Sequence, residues 1–303
     1  MAMRSWLFVP GDSESKLAKA PDLGADVLIA DLEDAVAPQA KLYARQTAAS
    51  WLEEGRGSAG RWVRINALDT PYWREDLAAV VPAAPAGIML PKAAGPEQLQ
   101  ALAAELYELE GRHGIPSGTT RLLPLVSETP AAALGIPAYA AAQLPRLAGL
   151  TWGAEDLSAA IGASRKRAPD GRWTDTFRMV RSMVLLAAHA RGVAAIDTLH
   201  ADFRDLDGLA RVADESRADG FTGMLAIHPA QVEVINRAFT PTEGEIAEAR
   251  AIVAAFAASP DAGVLQIDGR MVDRPHLDQA RRPDGRRRRR RSRAPRRSRL
   301  RSG

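Results

Sequence analysis

Residues 27–36 read VLIADLEDAV. Four aliphatic residues open the run; acids then enter at alternate positions, Asp31 and Glu33, with Asp34 beside them. An unbroken apolar run bounded by charge describes a strand covered on both faces, as in a parallel sheet, rather than a half-solvated hairpin strand. The two alternate acids share one face at its end. The pattern recurs along the chain. Buried strands are expected at 5–10 (SWLFVP), 27–33 (VLIADLE), 61–66 (RWVRIN), 87–92 (GIMLPK), 121–128 (RLLPLVSE), 148–156 (AGLTWGAED), 194–200 (AAIDTLH) and 223–229 (GMLAIHP), each bounded by Gly, Pro or charge.

Most of the intervening stretches have helical periodicity. In 96–110 (PEQLQALAAELYELE), Leu99, Leu102, Leu106 and Leu109 fall on one face, and 174–191 and 207–218 behave alike. Helical crossovers join parallel strands, whereas antiparallel strands need only tight turns. Eight such alternations predict an α/β chain folded as a (β/α)8 TIM barrel over residues 1–235, in preference to an open doubly wound sheet. Residues 236–280 form a C-terminal extension: a helix at 241–258, with Thr242 as N-cap and Glu245 three residues on, then short strands at 264–267 and 269–272. Residues 281–303 are rich in Arg, Ser and Pro, have too few apolar residues to build a core, and are expected to be disordered.

The tail dominates the charge. It holds 13 of the 40 basic residues and one of the 37 acids, which leaves residues 1–280 with 27 basic and 36 acidic side chains, a net of −9. The body is therefore acidic, and binding of nucleic acid through counterion release rests on the tail alone. With no interleaved aromatics, such binding is non-specific. There is no cysteine, hence no disulfide, thiolate metal site or cysteine nucleophile. The early apolar run, residues 6–10, is too short for a secretory signal, and no run reaches the roughly 18 apolar residues of a membrane span. A cytoplasmic location is expected.

In a barrel the functional groups gather where strands give way to the following helices. Those positions hold Asp31, Glu33 and Asp34; Arg64 and Asn66; Lys92; Glu128; Glu155 and Asp156; Asp197; and His228. Any one of these charges reads equally well as solvated, but seven strands ending alike points to a site. Clustered acids repel unless a cation lies between them. Oxygen donors without sulfur favour Mg²⁺ over zinc, with Glu128 and Asp156, at the ends of neighbouring expected strands, as the pair to hold it. Arg64 offers a planar fork for a carboxylate or enolate oxygen. Lys92 reads as an ion-pair partner rather than a Schiff base, and His228 as a cap rather than a ligand. No GxGxxG, Walker A, GxSxG or HExxH motif occurs.

Eight motifs occur in one order: LFVPG at 7–11, DLEDAV at 31–36, VRIN at 63–66, LPK at 90–92, Glu128-Thr129, GAED at 153–156, AIHPAQ at 226–231 and GRMVD at 269–273. In these the chain resembles the HpcH/HpaI aldolase/citrate lyase family, and within it the citrate-lyase-β-like CoA-ester lyases of malyl-CoA and citramalyl-CoA type. The resemblance implies a barrel of the phosphoenolpyruvate/pyruvate-binding type, a homotrimer or hexamer, and Mg²⁺ (with Mn²⁺ as alternative) held by Glu128 and Asp156. It implies Arg64 gripping the 2-oxoacid or enolate, Asp31 and Glu33 shaping the site, and Asp273 reaching a neighbouring subunit's site as acid/base. Lys16, Lys19, His228 and Pro229 would lie near the CoA arm. The expected partners are a 2-oxoacid and an acyl-CoA, with no membrane and no specific nucleic acid. Two departures stand out. Pro130-Ala131-Ala132 replaces the Ala-Arg-Gly that follows the Glu-Thr pair in many relatives, and the helix after GRMVD runs into the arginine tract, as a frameshift would produce. A metal-dependent aldolase on free 2-oxoacids, and a malate synthase or thioesterase variant, are the rival activities.

Overall fold

The computed structural model describes residues 3–55 and 57–281. It divides into two compact units, Met3–Phe239 and the chain from Thr240 onward. The expected disorder of 281–303 falls, from residue 282, outside the described residues. No helix among the described residues is long and apolar enough to cross a membrane.

Period-2 alternation sorts each strand of the first unit into two layers. Along β1 (Ser5–Pro10), Leu7 and Val9 join the large cluster under the helices, while Trp6 and Phe8 belong to a smaller inner cluster. Val27 and Ile29 of β2 (Val27–Asp31) and Trp62 of β3 (Gly60–Arg64) also point inward, as does Met89 of β4 (Gly87–Leu90). Leu123 of β5 (Arg121–Pro124), Leu125 just after it, Ile196 of β7 (Ala194–Asp197) and Leu225 of β8 (Gly223–Ala226) also belong to the inner cluster. The sixth strand, β6, is only Gly149–Leu150. All the pairings are parallel, in the order β5-β4-β3-β2-β1-β8-β7-β6. The two ends of this sheet meet. Parallel bridges join Leu122 to Leu147 and Leu125 to Thr151, with Ala148 N donating to Leu122 O at 2.8 Å and Val126 N to Thr151 O at 3.0 Å. The eight strands thus close on themselves with helices between them, the TIM barrel expected from the alternation.

The strands stop sooner than the apolar runs do. The expected strand at 121–128 ends at Pro124, that at 148–156 at Leu150, and 194–200 and 223–229 end at Asp197 and Ala226. Apart from the single Leu125–Thr151 bridge, residues past those points pass into loops or helix starts. Ala154–Ala160 is a helix, with Glu155 and Asp156 in its first turn, where negative charge suits the helix dipole. Asp156 is therefore a helix-start residue and not a strand-end one. The periodic segments fold as helices Pro96–Arg112, Asp175–Ala190 and Leu206–Asp219, the first burying its four leucines.

Close backbone approach makes Gly223 obligatory. A Cβ there would collide with the Met3 carbonyl oxygen and lie 2.6 Å from that of Arg4, in the strand pair where Met224 N donates to Arg4 O at 2.7 Å. Backbone cannot swing aside as a side chain does, so Gly223→Ala should cost about 1–3 kcal/mol, read as a lower urea midpoint with unchanged m.

Away from the strand ends, the fully buried Glu110 accepts Arg146 Nη1 at 2.8 Å and Nη2 at 2.7 Å, and the amides of Gly118 and Thr120 at 2.8 and 2.9 Å. Burial alone would raise its pKa; Arg146 and the two amides outweigh it and bring it from 4.5 to about 2. A depressed carboxylate stabilises the fold above its unfolded pKa and loses that contribution as pH falls through the folded one. The parent should therefore be more stable than Glu110→Gln at pH 7, and the gap should close between about pH 4.5 and about pH 2, as checked by urea titrations across that range.

The second unit has the helix Glu243–Ala258, started by a capping box in which Thr242 Oγ1 accepts from Glu245 N at 3.2 Å and Glu245 Oε2 from Thr242 N at 2.7 Å. Strands β9 (Val264–Ile267) and β10 (Arg270–Asp273) pair antiparallel through Asp268-Gly269, both at positive φ, a tight-turn signature. Residues 274–281 are helical. Phe256, Val272 and Leu277 form its core.

Candidate active site

A cavity of about 350 Å³ opens at the C-terminal ends of the barrel strands. Its apolar wall includes Phe8, Leu125, Trp152, Leu199, Leu225 and Ile227; its polar wall includes Asp31, Asp34, Arg64, Glu128, Glu155 and Asp156.

Register creates the first half of the polar wall. Asp31 and Arg64 are paired across β2 and β3, each two residues past an inward side chain, Ile29 and Trp62, so their own side chains meet on the inner face. Arg64 donates to Asp31 through Nε at 2.7 Å and Nη2 at 2.6 Å, and its Nη1 lies 3.0 Å from Glu33 Oε2. The guanidinium also lies 4.7 Å from the Phe8 ring centroid. Burial opposes its charge, but Asp31 and Glu33 outweigh burial and keep it protonated. Burial raises the pKa of Glu33, partly offset by Arg64 and Lys92. Asp31 accepts two further hydrogen bonds, from the amides of Glu33 at 2.9 Å and Ala35 at 3.2 Å.

The loop bearing these acids is held from behind. Lys41 Nζ donates to the carbonyls of Leu32 and Glu33 at 2.6 and 2.7 Å. Asn66 Nδ2 donates to Leu32 O at 3.0 Å and Asp76 at 2.7 Å, and Arg45 Nε reaches Asp76 at 2.7 Å. Asn66 thus braces the backbone and, contrary to the reading that paired it with Arg64, does not line the cavity. No periodic signal marked Lys41, Arg45 or Asp76, because their partners lie on neighbouring elements.

Glu128 forms the second half. It is buried, accepts a hydrogen bond from Lys92 N, and lines the same cavity as Asp156. Burial raises its pKa to about 8, with the charges of Asp156 and Glu33 adding to the rise. Gly153 lies against it: a Cβ there would sit 3.0 Å from Glu128 Cγ and 3.4 Å from Oε1, so a larger residue would crowd the carboxylate. Among the described residues no set of three or more His, Cys, Asp or Glu is arranged to hold a metal. Of the carboxylates on the cavity wall, Asp31 is tied to Arg64 and Glu155 to Lys166, while Glu128 and Asp156 have no side-chain cation on them among the described residues, and no histidine or cysteine lines the cavity. That set fits Mg²⁺, which uses one or two carboxylates and completes its octahedron with water and substrate oxygens.

Asp197 and Trp152 form a unit that no local sequence pattern links, being 45 residues apart. Asp197 is 2% exposed and does not line the cavity. It accepts Trp152 Nε1 at 2.7 Å, Arg181 Nε at 2.9 Å and Ser216 Oγ at 2.6 Å, so it fixes the indole in the cavity wall. The remaining residues lie elsewhere. Lys16 and Lys19 are exposed on the short helix Glu14–Lys19, outside the cavity lining. His228 caps the helix Pro229–Ala238, not the strand before it: its Nδ1 accepts from Ala230 N at 3.2 Å and its ring stacks on Phe203 at 4.8 Å, with Pro229 in the first turn. Asp273 belongs to the second unit, where His276 Nδ1 lies 2.5 Å from its carboxylate and holds its pKa below the ordinary value.

A citrate lyase subunit beta-like protein of Mycobacterium tuberculosis is 38% identical over 275 residues, covering 91% of this chain and 92% of its own length. A (3S)-malyl-CoA thioesterase of Cereibacter sphaeroides is 37% identical over 281 residues, covering 92% of each chain. The crystal structure of CitE from Mycobacterium tuberculosis, in complex with magnesium, acetoacetate and coenzyme A, superposes with a TM-score of 0.75 at 37% identity, over 94% of this chain and 98% of that one. Residues 4–229, the whole span of the closed barrel and its carboxylate-lined mouth, match the family described as HpcH/HpaI aldolase/citrate lyase, and the chain belongs to that family.

Proposed function

We propose that the chain is a Mg²⁺-dependent carbon–carbon lyase that splits a 3-hydroxy-3-carboxyacyl-CoA thioester, such as a malyl, citramalyl or citryl thioester, into a 2-oxoacid and an acyl-CoA, or runs the reverse condensation. The observation that carries this is the presence of Glu128, Asp156 and Arg64 on one cavity at the strand ends. Mg²⁺ and CoA appear together in the similar CitE structure, which supports both here. Glu128 and Asp156 would hold Mg²⁺ (or Mn²⁺), whose chemistry is Lewis-acid polarisation of substrate oxygens.

Arg64 supplies the matching cation. Of its five N–H donors, Nε and one on Nη2 are taken by Asp31, and Nη1 lies beside Glu33 as an ion pair without a hydrogen bond, which leaves N–H groups for a carboxylate or the developing enolate oxygen. Because Asp31 fixes the fork in advance, no reorganisation is needed as charge develops. Phe8, Leu125, Trp152 and Leu225 keep water from the carbanion-like centre. Asp273, contributed by a second copy in a trimer or hexamer, takes the acid/base role. Lys16, Lys19, His228 and Pro229 are assigned to the CoA arm.

The test is a panel of CoA thioesters assayed with and without EDTA, following 2-oxoacid release. EDTA-sensitive release supports the lyase; its absence from every thioester rejects it. The thioesterase relative favours a second reading, hydrolysis of the same ester. Free CoA together with intact hydroxyacid, in place of acyl-CoA with 2-oxoacid, would identify that. Arg64→Lys is expected to lower kcat by about 10²–10³, since a point charge cannot both hold Asp31 bidentately and face the substrate. Steady-state kinetics check this, and a parent-like kcat removes Arg64 from the chemistry.

A further inference from the structure

Past Leu90 the β4 segment carries one residue more than its partner, a bulge in which Pro91 and Lys92 together stand opposite Leu125. Leu125 N donates to Leu90 O at 2.9 Å, and the next bond runs from Ala93 N, where a regular parallel ladder would use residue 92, to Leu125 O at 3.1 Å. Pro91 has no N–H to leave unpaired. Lys92 has one, and its backbone sits in the left-handed region at φ 50°, a conformation that costs a residue with a Cβ and persists where the surroundings impose it. In that conformation the Lys92 N–H donates to Glu128 Oε2. The side chain turns the other way: Nζ pairs with Glu33 Oε1 and lies 3.6 Å from Asp34, and the other Glu33 oxygen lies 3.0 Å from Arg64.

We propose that Lys92 is a positioning residue joining the two halves of the site, its bulged amide aiming the Glu128 carboxylate and its ammonium holding Glu33 and, through Glu33, the Arg64 fork. This rests on the reading of Glu128 as a metal ligand. The two roles reside on different atoms of one residue and are separable. Glycine enters the left-handed region freely, keeping the amide and losing the ammonium. Valine, β-branched, resists that region and loses both.

The experiment is calorimetric titration of the full chain with Mn²⁺, beside thioester kinetics at saturating Mn²⁺ and thermal melts in EDTA. Lys92→Gly binds Mn²⁺ like the parent, while its kcat falls by about 10–100-fold. Lys92→Val binds Mn²⁺ about 10–100-fold more weakly. Lys92→Asn, tolerant of the left-handed conformation, follows Gly; Lys92→Ala carries the same comparison if the Val protein does not fold. Equal Mn²⁺ affinity in the Gly and Val proteins overturns the amide role. A parent-like kcat in Lys92→Gly overturns the ammonium role. A parent chain that binds no Mn²⁺ rejects the metal site itself, a different outcome from either.

Discussion

Glu128→Gln, and separately Asp156→Asn, should remove Mg²⁺-dependent turnover, with a loss of at least about 10³-fold in kcat/KM, while the barrel stays folded. Both changes keep the side-chain shape and delete the charge. The folded barrel disfavours the Glu128 carboxylate, whose pKa burial, helped by Asp156 and Glu33, raises from 4.5 to about 8. For a raised acid the sign is the reverse of that at Glu110. The folded chain retains a proton that the unfolded chain releases above about pH 4.5, so metal-free stability falls as pH rises from there to about 8. Gln, neutral at every pH, escapes that loss. In EDTA at pH 8 the Glu128→Gln protein should melt at or above the parent temperature. Added Mg²⁺ should raise the parent's Tm and leave the variant's unmoved. Parent-like turnover in either variant takes that carboxylate out of the proposed metal site. A variant that is inactive and also strongly destabilised in EDTA would show that the carboxylate supports the fold rather than a cation.

The second large effect is expected at Asp197. Its buried carboxylate holds Arg181, the Trp152 indole and Ser216 together, and accepts from Thr198 N at 2.8 Å. Asp197→Ala leaves the guanidinium of Arg181 in a mostly buried place with Asp219, itself half-exposed, as its remaining acidic partner at 2.5 Å. Breaking a buried pair from one side typically costs about 3–5 kcal/mol, because the surviving charge and the orphaned donors stay desolvated. The urea midpoint should fall accordingly. Since Trp152 also loses its anchor, kcat/KM should fall in the variant under conditions where it remains folded. A stability loss below about 1 kcal/mol would show that Arg181 relaxes to solvent and that Asp197 carries no such role. Asp197→Asn should be milder, since its amide oxygen still accepts from Trp152.

Much of this was legible from local pattern. The run at 27–36 and its seven counterparts were found because a strand covered on both faces must be apolar throughout, and because charge appears where the chain turns toward solvent. The helix face of 96–110 and the cap at Thr242 follow from the 3.6-residue repeat and from the four unsatisfied N–H groups of a helix start. Asp31, Arg64 and Glu128 were singled out from their positions beyond the apolar runs. The ends of the strands are not legible in this way, since periodicity does not show where the ladder stops: the residues past the Leu125–Thr151 bridge, through 128 and 156, continue the apolar or polar pattern after strand pairing has ended.

Residues within a few positions of one another already set the number, chain order and parallel sense of the strands, and which acids and which arginine stand at their ends. The tertiary structure alone decided who meets whom: Arg64 with Asp31, 33 residues apart, Arg181 with Asp197 and Trp152, and the amide of Lys92 with Glu128, 36 residues away. Such pairings depend on the register between strands and on how the closed sheet turns each end inward. No local repeat encodes either, and both are set only when the barrel closes.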